Sequence, residues 1–303
     1  MNSAHDMFQQ VKGEIDKVIK GKDEAKKILV AAFLARGNVL LEGVPGMGKT
    51  LFARACARIV GLGFSRIQFT PYLMPSDILG TNIYNQGAGR FEFVPGPIFT
   101  NFILADEINR APAKTQAALL EAMEEHQVTI DNRTYDLPGN FIVFATQNPL
   151  EFEGTYMLPE AQNDRFMVRV LMDYPTEDEE YRILRLPLDC GPDPTQRITP
   201  IENAEARIAA ARRQVGAMVV DEKIVHYVRS LVRETRRMDE IALGNSPRAG
   251  QMLLRLAAAY AAVEGSGFVT PDHIRELVPA VLPHRWILKP ETQVQHQPVE
   301  DIL

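Results

Sequence analysis

The stretch that most limits what this chain can fold into is GVPGMGKT, residues 43–50. It stands between the apolar run NVLLE and a run opening at Lys49 that carries Leu51, Phe52, Ala55, Cys56 and Ile59. The pattern is G-x-x-x-x-G-K-[ST] in the setting that pattern needs, a strand before it and a helix after it. Glycines let backbone N–H groups turn inward around phosphate oxygens, and the helix N-terminus adds a partial positive charge. Lys49 places a compact cation on the β- and γ-phosphates, and Thr50 offers a hydroxyl to Mg²⁺. Gly43, Val44, Pro45, Gly46, Met47, Gly48, Lys49, Thr50 and Leu51 are therefore the expected nucleotide-binding residues. The bland alternative is a chance glycine-rich turn. Strand, lysine, threonine and helix in sequence weigh against it.

The flanking chain keeps the same rhythm. FSRIQF, NFILADE, FIVFATQ and FMVRVLM read as four further strands, and KTQAALLEAMEEH as a helix dense in Ala, Leu, Met and Glu. Residues 25–35 show helical apolar spacing before the first strand. Continuous apolar strands suit a parallel sheet covered on both faces, so the fold class is α/β with five parallel strands. Two stretches break the alternation, near 82–94 and 127–137, and both read as β-hairpins.

After Asp173 the pattern turns helical. Thr176 and Glu179 have capping-box spacing, and helices are expected near 202–214, 221–237, 247–263 and 271–280. Thr270 caps the last of these, with Pro271 at its first position. Glycine and proline cluster around 187–199. The chain is expected to divide into an α/β nucleotide-binding domain over 1–185, a helical domain over 186–290 and a polar tail over 291–303.

Five further positions carry chemistry. The strand ILAD ends in Asp106-Glu107, and ligands of α/β sheets gather at strand carboxyl ends. Beside a P-loop, Asp106 suits support of hydrated Mg²⁺, and Glu107 suits orienting and deprotonating the attacking water. Asn148 ends the fourth strand, where it is either a turn residue before Pro149 or a contact to the γ-phosphate or water. Arg248 follows Ser246-Pro247 at a helix start, where a cation is disfavoured unless an anion answers it. A phosphate or an acidic neighbour would do so. Arg165, in LPEAQNDRF, is a solvated charge, a partner for Asp164 or a catalytic group, and the stretch alone leaves all three open.

Composition weighs against several classes. The net charge of -6 argues against a nucleic-acid binder, which carries a basic surplus. Two distant cysteines, Cys56 and Cys190, make neither a disulfide framework nor a zinc site. The opening MNSAHDMFQQVKGE has no apolar core for a signal peptide, and ILVAAFLA is too short to cross a bilayer, so a cytoplasmic protein is expected.

Taken together, LLEGVPGMGKT, ILADEINRAPAKTQAALLEAMEE, VFATQNP, EGTYMLPEAQNDRF and GNSPRA resemble the MoxR branch of the AAA+ ATPases, over roughly residues 15–285. The resemblance implies a P-loop fold with strand order 5-1-4-3-2 and an all-α lid. It also implies a hexameric ring that uses ATP and Mg²⁺ for chaperone-like remodelling, maturation or metal-cofactor insertion, with a von Willebrand factor A domain partner and a client protein. Carried over, Lys49 and Thr50 are Walker A and Asp106 and Glu107 Walker B. Asn148 is sensor 1, Arg165 the arginine finger offered to a neighbouring subunit, and Arg248 sensor 2, in cis or in trans. Family members usually have Gly-Gln where this chain has Gly21-Lys22. The rival from another class is a nucleic-acid-dependent AAA+ motor. NQGAGR and DNRTYD, with one basic residue each, are too poor in cations to track phosphates.

Overall fold

The computed structural model describes residues 3–44, 46–148, 156, 158–186 and 193–294. Pro45, Cys190, residues 187–192 of the expected linker and residues 295–303 of the expected tail lie outside the described residues.

In chain order, α1 (Ser3–Ile15) and α2 (Asp23–Leu34) lead to β1 (Val39–Glu42) and α3 (Lys49–Ile59). Next come β2 (Phe64–Gln68), the short α4 (Pro75–Leu79) and a hairpin of β3 (Gly80–Asn85) and β4 (Arg90–Pro95). Strand β5 (Phe102–Asp106) passes through one turn at Ile108–Arg110 into α5 (Ala113–Glu125). A second hairpin, β6 (Gln127–Ile130) and β7 (Arg133–Asp136), precedes β8 (Ile142–Gln147). Then follow α6 (Glu160–Asn163), β9 (Val168–Leu171) and α7 (Glu177–Leu184). The remainder holds α8 (Ala204–Gly216), α9 (Glu222–Glu234), β10 (Ile241–Leu243), α10 (Pro247–Glu264), α11 (Pro271–Val281), β11 (Ile287–Leu288) and α12 (Pro290–Val294).

Five strands form one parallel sheet in the order β2-β5-β8-β1-β9. Numbered along the chain, that is 5-1-4-3-2, as the resemblance implies. Alternate residues point to opposite faces. Leu41, Phe102, Leu104, Ile142 and Phe144 join a core with α1, α2 and α3, while Leu40, Ile103, Ala105, Val143 and Ala145 join one with α5 and the hairpins. The register sets Gln68 beside Asp106 and Glu42 beside Gln147, which brings the strand carboxyl ends to one rim.

The first core does not stop at the sheet. It runs on into α8, α9, α10 and α11 through Ile208, Val228, Leu253, Leu256 and Leu277. Helix α10 lies along α2, where Arg255 donates to the Ala35 carbonyl at 2.7 Å and the Tyr260 hydroxyl donates to Glu24 at 2.9 Å. Helix α1 precedes the α/β alternation yet packs partly on the helical part, with Gln214 accepting from Ser3 Oγ at 3.0 Å and the Ala4 N–H at 2.9 Å. Its buried residues Ala4, Met7, Phe8, Val11 and Ile15 follow helical spacing. The helical part also carries one small antiparallel ribbon, β10–β11.

The expected caps at Thr176 and Thr270 are made, each with its reciprocal bond. Ser246 occupies the cap position of α10 with extended backbone, but its side chain makes no capping bond. Cys56 is fully buried in α3, and burial pushes its thiol up to about 12, so it is an inert filler of the core.

Candidate active site

The rim of the sheet opens into a cleft of about 400 Å³, lined by residues 46–51 with Arg66, Asp106, Glu107, Thr146, Gln147 and Asn148. Its floor is the turn between β1 and α3. Gly48 caps α3 in the left-handed region, at φ 79°, which only glycine adopts freely. Gly43 is needed for another reason: a Cβ there would sit 2.4 Å from the Met172 carbonyl oxygen. Lys49 folds back within the loop, its Nζ donating to the carbonyls of Gly43 and Val44.

The opposite wall is the end of β5. Asp106 is buried, and both its oxygens are engaged. Oδ1 accepts from the Thr146 hydroxyl at 2.5 Å. Oδ2 accepts from the Thr50 hydroxyl at 3.3 Å and from Arg66 through Nε at 3.0 Å and Nη2 at 2.6 Å. Glu107 departs from regular backbone, with φ 56° and ψ 51°. A non-glycine residue there costs roughly 1–3 kcal/mol, and such strain gathers where function fixes a side chain. Thr146 holds the distortion by accepting from the Glu107 N–H at 2.9 Å. The Glu107 carboxylate accepts from Gln68 at 2.8 Å and pairs with Arg110 at 3.1 Å.

This donor set fits Mg²⁺. Thr50 and Asp106 are hard oxygen donors facing each other beside a phosphate-binding loop, and Mg²⁺ takes one or two such groups and fills its shell with water and phosphate oxygens. Among the described residues no cluster of three or more His, Cys, Asp or Glu side chains suits a softer metal. Arg66 rests on the Asp106 oxygen that faces Thr50, so a cation arriving there competes with a guanidinium. Arg66→Gln is therefore expected to lower, several-fold, the Mg²⁺ concentration needed for half-saturation with a fluorescent nucleotide. An unchanged requirement would show that the contact is incidental.

Comparison with known proteins follows from this geometry. Residues 38–168 match the family model described as ATPase family associated with various cellular activities (AAA), and residues 233–303 match the AAA lid domain. A crystal structure of a protein from Cytophaga hutchinsonii superposes with a TM-score of 0.88 at 39% identity, covering 99% of this chain and 95% of that one. The uncharacterized protein YeaC of Bacillus subtilis is 44% identical over 99% of this chain and 92% of its own length. The chaperone MoxR1 of Mycobacterium tuberculosis is 43% identical over 91% of this chain and 74% of its own. The chain belongs to the MoxR family of AAA+ ATPases.

In this MoxR-family chain the two remaining arginines stand apart from the cleft. Neither Arg165 nor Arg248 is among its described lining residues. They meet each other instead, on the carboxylate of Glu124 at the end of α5. Arg165 Nη2 lies 3.1 Å from one oxygen and Arg248 Nη1 lies 2.8 Å from the other. Of the readings the sequence left open for Arg165, the solvated charge and the pair with Asp164 are corrected by its pairing with Glu124. Asp164 turns to Arg285, whose Nε donates to it at 2.8 Å, and to Arg248 at 3.9 Å. Burial pulls the Arg285 guanidinium down to about 10, against the opposing pull of Asp164, and it stays charged at neutral pH. The anions answering Arg248 at the start of α10 are thus two carboxylates of its own chain.

Lys22, the departure from the usual MoxR glutamine, also has a structural role. Its Nζ donates to the carbonyls of Asp173 and Tyr174 at 2.9 and 3.3 Å, and its N–H to Glu179 at 3.0 Å, stapling the segment before α2 to the segment leading into α7. Four residues at or beside the cleft escaped the sequence motifs: Arg66 and Thr146, which line it, and Gln68 and Arg110, which hold Glu107. They reach Asp106 and Glu107 from neighbouring strands or the following turn.

Proposed function

We propose that this chain hydrolyses ATP at clefts completed by a neighbouring copy in a ring, and that the cycle remodels partner proteins. The observation that carries this reading is the separation of machinery. Lys49, Thr50, Asp106, Glu107 and Asn148 lie at one cleft, whereas Arg165 and Arg248 are gathered elsewhere on Glu124. Two arginines sharing one anchor belong to one face, so both serve the next subunit, and Arg248 acts in trans.

The roles follow from position. Left-handed glycines aim N–H groups at phosphate oxygens, and Lys49 leaves its loop carbonyls to meet the β/γ-phosphates. Thr50 and Asp106 would hold Mg²⁺, which would supply neutralising charge at the phosphate oxygens. Glu107 takes the proton of the attacking water once Gln68 and Arg110 yield its carboxylate, and Asn148 orients that water or the γ-phosphate.

The name chaperone, borne by the MoxR1 relative, supports remodelling here. A client, a von Willebrand factor A domain partner, and maturation or metal-cofactor insertion as the outcome are proposed from the family resemblance alone. No described helix is long and apolar enough to cross a membrane. The first hairpin fits a protein client better than a nucleic acid. It exposes Ile83, Tyr84 and Phe91, and its Arg90 is paired with Glu92 at 3.1 Å. ATPase assays with and without single-stranded DNA test this. Turnover is expected to be unmoved by DNA, and strong salt-sensitive stimulation would establish the nucleic-acid motor instead.

A further inference from the structure

The charges around Arg165 form an alternating chain: Arg165, Glu124, Arg248, Asp164, Arg285. Glu124 is the link that matters, because each of its two oxygens holds one guanidinium. Take it away and two cations from distant parts of the sequence face each other with no anion between them. Like charges at that range repel, and long arginine side chains have rotamers enough to separate. Asp164 replaces it only in part: Oδ1 holds the buried Arg285 and Oδ2 lies 3.9 Å from Arg248, whereas Arg165 is paired with Glu124.

Glu124 is also well held. It belongs to the last turn of α5, whose Leu119, Leu120, Ala122 and Met123 are buried. The helix is tied at its other end, where Thr115 donates to the Leu73 carbonyl at 2.6 Å and Gln116 to the Ile108 carbonyl at 3.1 Å. It spans about 16 Å from its first residue to Glu124, at about 1.5 Å per residue. A carboxylate on such a rod keeps its place better than either arginine could.

We infer that Glu124 is a positioning residue: it sets Arg165 and Arg248 side by side so that both meet the phosphates of the next subunit together. This rests on the reading that the two arginines act on a neighbour, and the test separates the two ideas.

Lys49→Ala subunits can offer arginines but cannot hydrolyse ATP, and Arg165→Ala subunits can hydrolyse only with a borrowed arginine. A mixture of the two is active solely at hybrid interfaces. Glu124→Gln is then added on one side or the other. On the Lys49→Ala subunit, which lends the arginines, it is expected to lower kcat by up to about 10²-fold, the scale of a catalytic group misplaced by about 1 Å. On the Arg165→Ala subunit the loss is expected to be several-fold smaller. Glu124→Asp on the lending subunit should recover part of the rate, and thermal denaturation of each variant identifies any that misfolds. Equal losses on both sides, or none on the lending side, overturn the role of Glu124. A mixture with no hybrid activity even when Glu124 is intact overturns the trans reading itself, and the positioning role falls with it.

Discussion

Arg165→Ala is expected to lower ATP turnover by about 10³–10⁵-fold, the range for an arginine supplied to a transferring phosphoryl group. The structural cost is small by comparison. Arg165 is partly exposed and its pair with Glu124 is a surface pair, which contributes at most about 1 kcal/mol. After its removal Glu124 keeps Arg248, and Asp164 keeps Arg285, so the remaining charges stay answered. The variant should thus melt near the parent temperature, bind nucleotide normally and turn over almost nothing. Mixing it with Lys49→Ala subunits should restore a fraction of the activity. If Arg165→Ala hydrolyses ATP like the parent, the shared-site reading is wrong, and the arginine is one end of a surface charge network.

Glu107→Gln is expected to cost about 10²–10⁴ in kcat, the usual worth of a positioned general base. Nucleotide affinity should be retained, since the proposed metal site rests on Thr50 and Asp106, whose mutual hydrogen bond does not involve Glu107. The backbone argues that the substitution is structurally mild. The left-handed conformation at Glu107 is fixed by the bond from its N–H to Thr146, which glutamine keeps. The amide can still accept from Gln68 but cannot pair with Arg110 as a charge. Equilibrium binding beside single-turnover hydrolysis separates the outcomes. Normal turnover would remove Glu107 from the mechanism, while lost binding would make it part of the nucleotide site. A chain that binds without turning over should also hold clients, and affinity capture with ATP then identifies them.

Much of the fold could be read from the sequence because its strands are covered on both faces. From Phe102 to Ala105 NFILADE is apolar without a break before Asp106, and that continuous apolarity is what a central parallel strand requires. The hairpins stood out as breaks in the alternation. Helix α1 was equally legible, since its apolar residues fall at 4, 7, 8, 11 and 15, but a reading led by motifs passes over them. The cleft was legible where it depends on local chain, as in Gly48, Lys49 and Thr50. It was not legible where it depends on register. Arg66 and Gln68 matter because β2 pairs with β5 so that Gln68 lies beside Asp106, and no spacing in the sequence encodes that pairing. Glu124 is harder still. It is one of three glutamates in EAMEE, and what selects it is which face of α5 meets α10 and the residues before β9.

The continuous interior beneath β1, α2 and α10 bears on how this protein can be handled as modules. A boundary near 185 looks natural along the sequence, yet the packed side chains ignore it. Helix α2 presents Leu29 and Phe33 to the same apolar mass that holds Leu253 and Leu256 from α10. Severing the chain there would bare both halves of that mass to water, at about 25 cal/mol per Å² of apolar surface. Chimaeras that exchange the helical part between relatives must therefore exchange α1 and the inward face of α2 with it.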